Sequence, residues 1–135
     1  MITAQLERKT LDLLSQPNFA HLSSHRADGT IHSVVVWIDV RDDGRIFVNS
    51  AEGRVWPANV DRDPRVTVSV HNRNNPYEFA SITGRVIDRD TETGDADIDA
   101  LARKYMGAET YPFRKEGEVR VTFTIEPERV THHGA

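Results

Sequence analysis

The chain has 135 residues, 17 basic and 21 acidic side chains, a net charge of −4 and no cysteine. That length fits one domain, residues 1–135, able to bury roughly two-thirds of the surface its unfolded chain exposes. Disulfides, a thiolate nucleophile and Cys-ligated metals are excluded, and a mildly acidic chain is a poor general binder of nucleic acid, which needs a basic surface.

The longest apolar run, Val34 to Ile38, is one strand's worth, far from the ~20 residues of a membrane helix. The first 16 residues mix Gln5, Glu7, Arg8, Lys9 and Asp12 with apolar positions, unlike the continuous apolar core of a secretory signal. The expectation is a cytoplasmic protein with neither membrane nor nucleic-acid partner.

Ile2, Leu6, Leu11, Leu13 and Leu14 are spaced as one face of a helix over 3–16, with Thr3 as its cap and Pro17 as its stop. Phe19 to His25 reads as a strand, and Ala27-Asp28-Gly29 as a tight hairpin turn. The next strand, Ile31 to Val40, does not alternate at its centre, Val34-Val35-Val36-Trp37-Ile38, so both its faces should be covered. One face can look into a barrel, and a second copy of the chain is the economical cover for the other.

Arg41-Asp42-Asp43-Gly44 predicts another hairpin, leading to a strand over 45–49 and a short helix over 54–62 with Pro57 in its first turn. Val66, Val68 and Val70 alternate with Thr67, Ser69 and His71 in a clean strand. A polar loop over 72–76 precedes a strand over 77–88. A helix follows over 95–106, with Ile98, Leu101, Ala102 and Tyr105 on one side. An irregular stretch over 107–117 and a last strand over 118–130 complete the chain. Six mostly antiparallel strands with short helices predict an α+β, mainly β, six-stranded antiparallel split β-barrel.

The most informative stretch runs from Phe47 to Val66. There a strand empties through Asn49, Ser50 and Gly53 into a helix start beside Arg54. Free backbone N–H groups at such a junction, with a hydroxyl and an arginine, suit a phosphate, although a capped helix with a solvated arginine has the same local pattern.

The chain resembles the pyridoxamine-phosphate-oxidase-like split barrels, in particular the branch that uses the 8-hydroxy-5-deazaflavin coenzyme F420. The resemblance covers nearly the whole chain. It is carried by Asp28-Gly29, His32-Ser33-Val34-Val35-Val36-Trp37, Asn49-Ser50, Gly53-Arg54, Asn59-Val60 and Arg62-Asp63-Pro64-Arg65-Val66. Further on it includes Asn75-Pro76-Tyr77, Ile82-Thr83-Gly84-Arg85-Val86, Lys104-Tyr105 and Tyr111-Pro112.

The resemblance implies an FMN-binding split-barrel fold, a homodimer with the cofactor at the subunit interface, and hydride transfer from reduced F420 to an unsaturated small molecule. It implies that Ser33, Val34, Val35 and Val36 meet the edge of the tricyclic ring with Trp37 beside it. Asn49, Ser50, Arg54 and Asn59 would hold the ribityl and phosphate groups, with Val55 and Trp56 also in the cofactor site, and Tyr77 would come from the partner. Many members of the family carry a lysine where this chain has Trp56; the indole would pack on the ring or on Arg54. The alternatives are an FMN-dependent enzyme of the pyridoxamine-phosphate-oxidase kind, or a cofactor-binding protein without turnover.

An oligoglutamate tail on the deazaflavin would want further basic residues, for which Arg62, Arg65, Lys104 and Arg114 are candidates. No catalytic acid or base and no metal ligand is read from the sequence. His21 and His25 share a strand face but sit about 13 Å apart. His32 reads as a surface residue, with the substrate side of the ring-contacting strand as its alternative, His132 and His133 as a solvated tail, and Tyr111 to Arg114 as a loop over the site or on the barrel exterior.

Overall fold

The computed structural model describes residues 5–134. Its elements are α1 (Arg8–Ser15), β1 (Ala20–His25), β2 (Ile31–Val36), β3 (Ile38–Val40), β4 (Ile46–Ala51) and α2 (Val55–Arg62), followed by β5 (Arg65–Asn72), β6 (Asn75–Asp90), α3 (Gly94–Met106) and β7 (Arg120–His133). The first helix begins later than its periodicity predicts, with Glu7 as its extended cap. Ile2 and Thr3 lie outside the described residues.

Both expected hairpin turns form. Gly29 and Gly44 each adopt φ +87°, a left-handed conformation that only glycine takes without strain. The polar loop after β5 shrinks to Arg73-Asn74, because β6 starts at Asn75.

All strand pairs are antiparallel, in the order β2-β1-β5-β6-β7-β4-β3. The two outermost strands are consecutive in the chain, separated only by Trp37. One residue must therefore join the two edges of the sheet, which forces it to curl into a barrel split at that point. This corrects the count of six: the strand expected over 31–40 bends at Trp37 and serves as two.

The barrel interior is filled by the alternating apolar residues of its strands, among them Leu22, Val48, Val68, Ile82, Phe123 and Ile125. Leu13 and Leu14 of α1 join that core, as do Trp56 and Val60 of α2. A second cluster lies outside the barrel, where Ile98 and Leu101 of α3 cover Phe47, with Trp37, Tyr105 and Tyr111 packed around them. This explains why β4 and β7 open on unbroken buried runs: one face looks into the barrel and the other lies under α3.

The chain's last histidines lie in a strand rather than the tail expected of them, with the His132 side chain covered and His133 exposed. His132 and His133 belong to β7, paired with Ala80 and Phe79 of β6. His132 Nδ1 lies 2.9 Å from Thr10 Oγ1 and its Nε2 3.2 Å from Glu78 Oε2, tying α1 to the end of the sheet. The His133 ring stacks on Phe79 with 4.8 Å between centroids. No described helix is long and apolar enough to cross a membrane.

Candidate functional site

A groove of about 520 Å³ opens between β2, the end of β4, the start of α2, α3 and the loop before β7. Its lining takes in His32, Val34, Val35, Val36 and Trp37 from the first edge of the sheet. Asn49, Ser50, Gly53, Arg54, Val55 and Trp56 line the strand-to-helix junction, and Ile98, Leu101, Tyr111, Phe113 and Arg120 form the far wall. Among the described residues β2 is an edge strand that pairs only with β1, so its other edge turns backbone N–H and C=O groups along the groove.

Nine of the twelve residues singled out in the sequence thus meet in one cleft: Val34, Val35, Val36, Trp37, Asn49, Ser50, Arg54, Val55 and Trp56. Three do not line it. Ser33 is exposed, with its Oγ 3.3 Å from Ser23 Oγ. Asn59 is buried behind α2, its Nδ2 donating to Ser24 Oγ at 3.2 Å and its Oδ1 accepting from Arg62 at 3.1 Å, so it fastens α2 to β1. Tyr77 is 83% exposed at the start of β6 and is absent from the groove of its own chain.

Trp56 turns its indole inward, 4.7 Å from the Phe123 ring, rather than onto Arg54. Trp37 is held by a stack: its ring lies 5.3 Å from that of Tyr105, nearly parallel, with Tyr111 edge-on at 6.0 Å. The Tyr105 hydroxyl donates to Asn18 O at 2.6 Å and accepts from Ile38 N at 3.2 Å, so the stack is fixed to the backbone on either side of the split. Burial pushes the Tyr105 phenol up to about 12, which keeps it a neutral donor.

A chain of polar contacts runs from the junction to the outside of the barrel. Arg54 reaches Glu118 (3.5 Å), which also binds Arg120 (3.2 Å). Arg120 Nε donates to Asn49 Oδ1 at 3.0 Å, and Asn49 Nδ2 donates to Gly94 O at 2.9 Å and to Thr122 Oγ1 at 3.2 Å. Thr122 then donates to Asp97 (2.7 Å), which takes a further bond from Arg41 (2.9 Å). Such a network fixes the orientation of its members, because breaking any bond strands a buried polar group.

One buried polar atom on the groove wall has no partner among the described residues: His32 Nδ1. Buried nitrogens are nearly always hydrogen-bonded, so an orphan here marks a group poised beside the cleft rather than a settled core residue. Of the further basic candidates, none lines the groove. Arg65 is locked to Asp63 (2.7 Å) and Arg114 to Asp95 and Asp99 (2.6 Å each), while Arg62 donates to His25 O (2.8 Å). Lys104 donates to the carbonyls of Leu14 and Ile38, and burial lowers its ammonium to about 8.

The family model of pyridoxamine 5'-phosphate oxidase matches residues 6–134. The chain belongs to the pyridoxamine 5'-phosphate oxidase family. A solved structure named F420 reductase is 27% identical, with a TM-score of 0.79 over 89% of this chain and 94% of that one. A conserved hypothetical protein of Mycobacterium tuberculosis shares the fold at 18% identity and a TM-score of 0.75, over 97% and 86% of the two chains. A pyridoxamine 5'-phosphate oxidase candidate from Listeria innocua does so at 19% and 0.69, over 92% and 94%. Among curated proteins, none matches.

Within this pyridoxamine 5'-phosphate oxidase fold, the sequence reading missed Arg120, Ile98 and Leu101 as groove residues and took His32 for a surface group. Arg120 did leave a signal, a lone cation opening the alternating strand pattern Val121 to Ile125. Its place beside the junction follows from the register, which sets it opposite Ala51.

Proposed function

We propose that this protein is an oxidoreductase that binds F420 in the groove, ring along the free edge of β2 and tail at the β4–α2 junction. Hydride would pass from the reduced cofactor to an unsaturated small molecule. The observation that carries this reading is the convergence of an unpaired strand edge, an aromatic wall and an arginine-flanked helix start in one cleft. The likeness to a structure named F420 reductase supports the deazaflavin.

When bound, the reduced deazaflavin supplies the hydride, as cofactors generally carry such chemistry. This chain's own groups would do the rest. Backbone groups of Val34 to Val36 orient the ring edge, while Trp37, Tyr111 and Phe113 keep water from one side. Ser50, Arg54 and the first free N–H groups of α2 hold the anionic tail.

We also infer a homodimer. Ile31 and Val35 leave 63% and 55% of their surface exposed on the outer face of β2, and a second copy laid there would cover both and could bring its Tyr77 to the cleft. One observation favours FMN as the second reading: Arg62, Arg65, Lys104 and Arg114 are all engaged away from the groove, leaving few cations for an oligoglutamate tail.

Tryptophan quenching separates the two, because Trp37 lines the groove and the core-facing Trp56 lies at its junction end. Saturable quenching by F420 with a much weaker response to FMN supports the deazaflavin reading, and the converse selects FMN. A response to neither refutes the cofactor site. Binding of reduced F420 without its oxidation across enones, quinones and tetrapyrroles would make the protein a carrier.

A further inference from the structure

The charged groups of the β4–α2 junction converge on one acid. Glu118, on the turn before β7, is 8% exposed and divides its two oxygens between two arginines: Oε1 lies 3.2 Å from Arg120 and Oε2 3.5 Å from Arg54. The two guanidiniums differ in freedom. Arg120 is 3% exposed, and its Nε is fixed by Asn49 Oδ1 at 3.0 Å. Arg54 is 50% exposed and makes no side-chain hydrogen bond capping its own helix.

Both arginines line the groove, each presenting a guanidinium fork of N–H donors. With one carboxylate between them, the cluster retains a single net positive charge in a half-enclosed, largely apolar cleft. Two guanidiniums bridged by two oxygens of one acid is also the arrangement in which arginines grip a phosphoryl group. The other long side chain in the first turn of α2, Trp56, is committed to the core, so α2 offers Arg54 alone and the second cation comes from β7.

We propose that Glu118 is a built-in stand-in for a phosphoryl group, holding Arg54 and Arg120 until the anionic tail of a ligand takes its position. The proposal rests on reading the groove as a cofactor site. In the free protein Glu118 spares Arg120 the cost of being a buried cation without a partner. On binding it competes with the tail and sets the affinity, and so the exchange rate, of any phosphate-bearing ligand.

The test compares wild type, Glu118→Gln and Arg120→Lys with FMN, riboflavin, F420 and inorganic phosphate. Glu118→Gln should bind whichever of F420 and FMN wild type takes up at least about tenfold more tightly, with riboflavin, which lacks the phosphate, unchanged. Its melting temperature should fall without phosphate and recover on adding inorganic phosphate by more than wild type does. Arg120→Lys, which keeps the charge and loses the fork, should weaken that cofactor and leave riboflavin unchanged. A folded Glu118→Gln with equal or weaker affinity for that cofactor overturns the proposal and makes Glu118 a plain buttress. If that variant does not fold, undiminished cofactor affinity in Arg120→Lys overturns it. Should wild type bind neither flavin nor deazaflavin, the cofactor reading fails separately. The phosphate arm then decides: a larger phosphate response in Glu118→Gln supports the stand-in, and no difference refutes it.

Discussion

Gly94 is the position at which the groove is most exposed to a single methyl group. It opens α3 directly over the start of β7, where an added Cβ would lie 2.2 Å from Arg120 O and 2.5 Å from its carbonyl carbon. Both are backbone atoms in a paired strand, so α3 must retreat by about 1 Å to restore van der Waals contact. The retreat stretches the 2.9 Å bond from Asn49 Nδ2 to Gly94 O and pulls Ile98 and Leu101 off Phe47.

Overpacking of this kind costs about 1–3 kcal/mol and a strained buried hydrogen bond about 1 kcal/mol more. Against this, Gly→Ala inside a helix gains up to about 1 kcal/mol, and less at the first helical residue. The contact loss wins, leaving Gly94→Ala destabilised by about 2–3 kcal/mol. For a domain of this size that is a fall in melting temperature of roughly 6–15 °C. Thermal unfolding followed by circular dichroism reads it directly, and the variant should also lose affinity for FMN as Asn49 and Arg120 shift. A melting temperature equal to or above wild type would show that helix propensity dominates and that the close approach of α3 to β7 does not hold the groove.

Arg54→Ala should weaken FMN binding by more than tenfold and spare riboflavin, since a charge-assisted contact to phosphate contributes about 1.5–3 kcal/mol; equal losses for both ligands would take Arg54 away from the tail. Val35→Glu puts a charge on the exposed outer face of β2 and should convert a dimer to monomers in sedimentation experiments; an unchanged mass would move the interface elsewhere. Lys104 binds its proton less tightly in the folded chain, about 8 against 10.5 for the free side chain, so its charge costs stability below 8 and that cost is relieved as pH rises to 10.5. Urea midpoints of wild type should therefore climb across that window relative to Lys104→Met, and parallel curves would contradict the burial argument.

Much of the fold was legible because its signals are local. The Asp-Gly turns, the alternation of Val66, Val68 and Val70, and Pro17 after the first helix each act within a few residues, and the two hairpins, β5 and the end of α1 formed close to where the pattern predicts them. The cleft was legible to the extent that it is made of consecutive residues, β2 and the junction at the end of β4. Its far wall was legible only in the loop from Tyr111, read as lying over the site or on the barrel exterior. Arg120 and Leu101 reach Asn49 and Trp37 only because β7 pairs with β4 and α3 lies across both.

The sequence by itself determined the alternation, the turns and the strand-to-helix junction, since hydrophobic period and backbone freedom are properties of short segments. Tertiary structure alone decided three things. It bent one strand at Trp37 to serve both edges of the sheet, moved Asn59 from the cleft to the interior, and set Glu118 between two arginines distant in the chain. Those outcomes depend on strand register and barrel closure, in which residues far apart must fit the same space, and no local pattern encodes that fit.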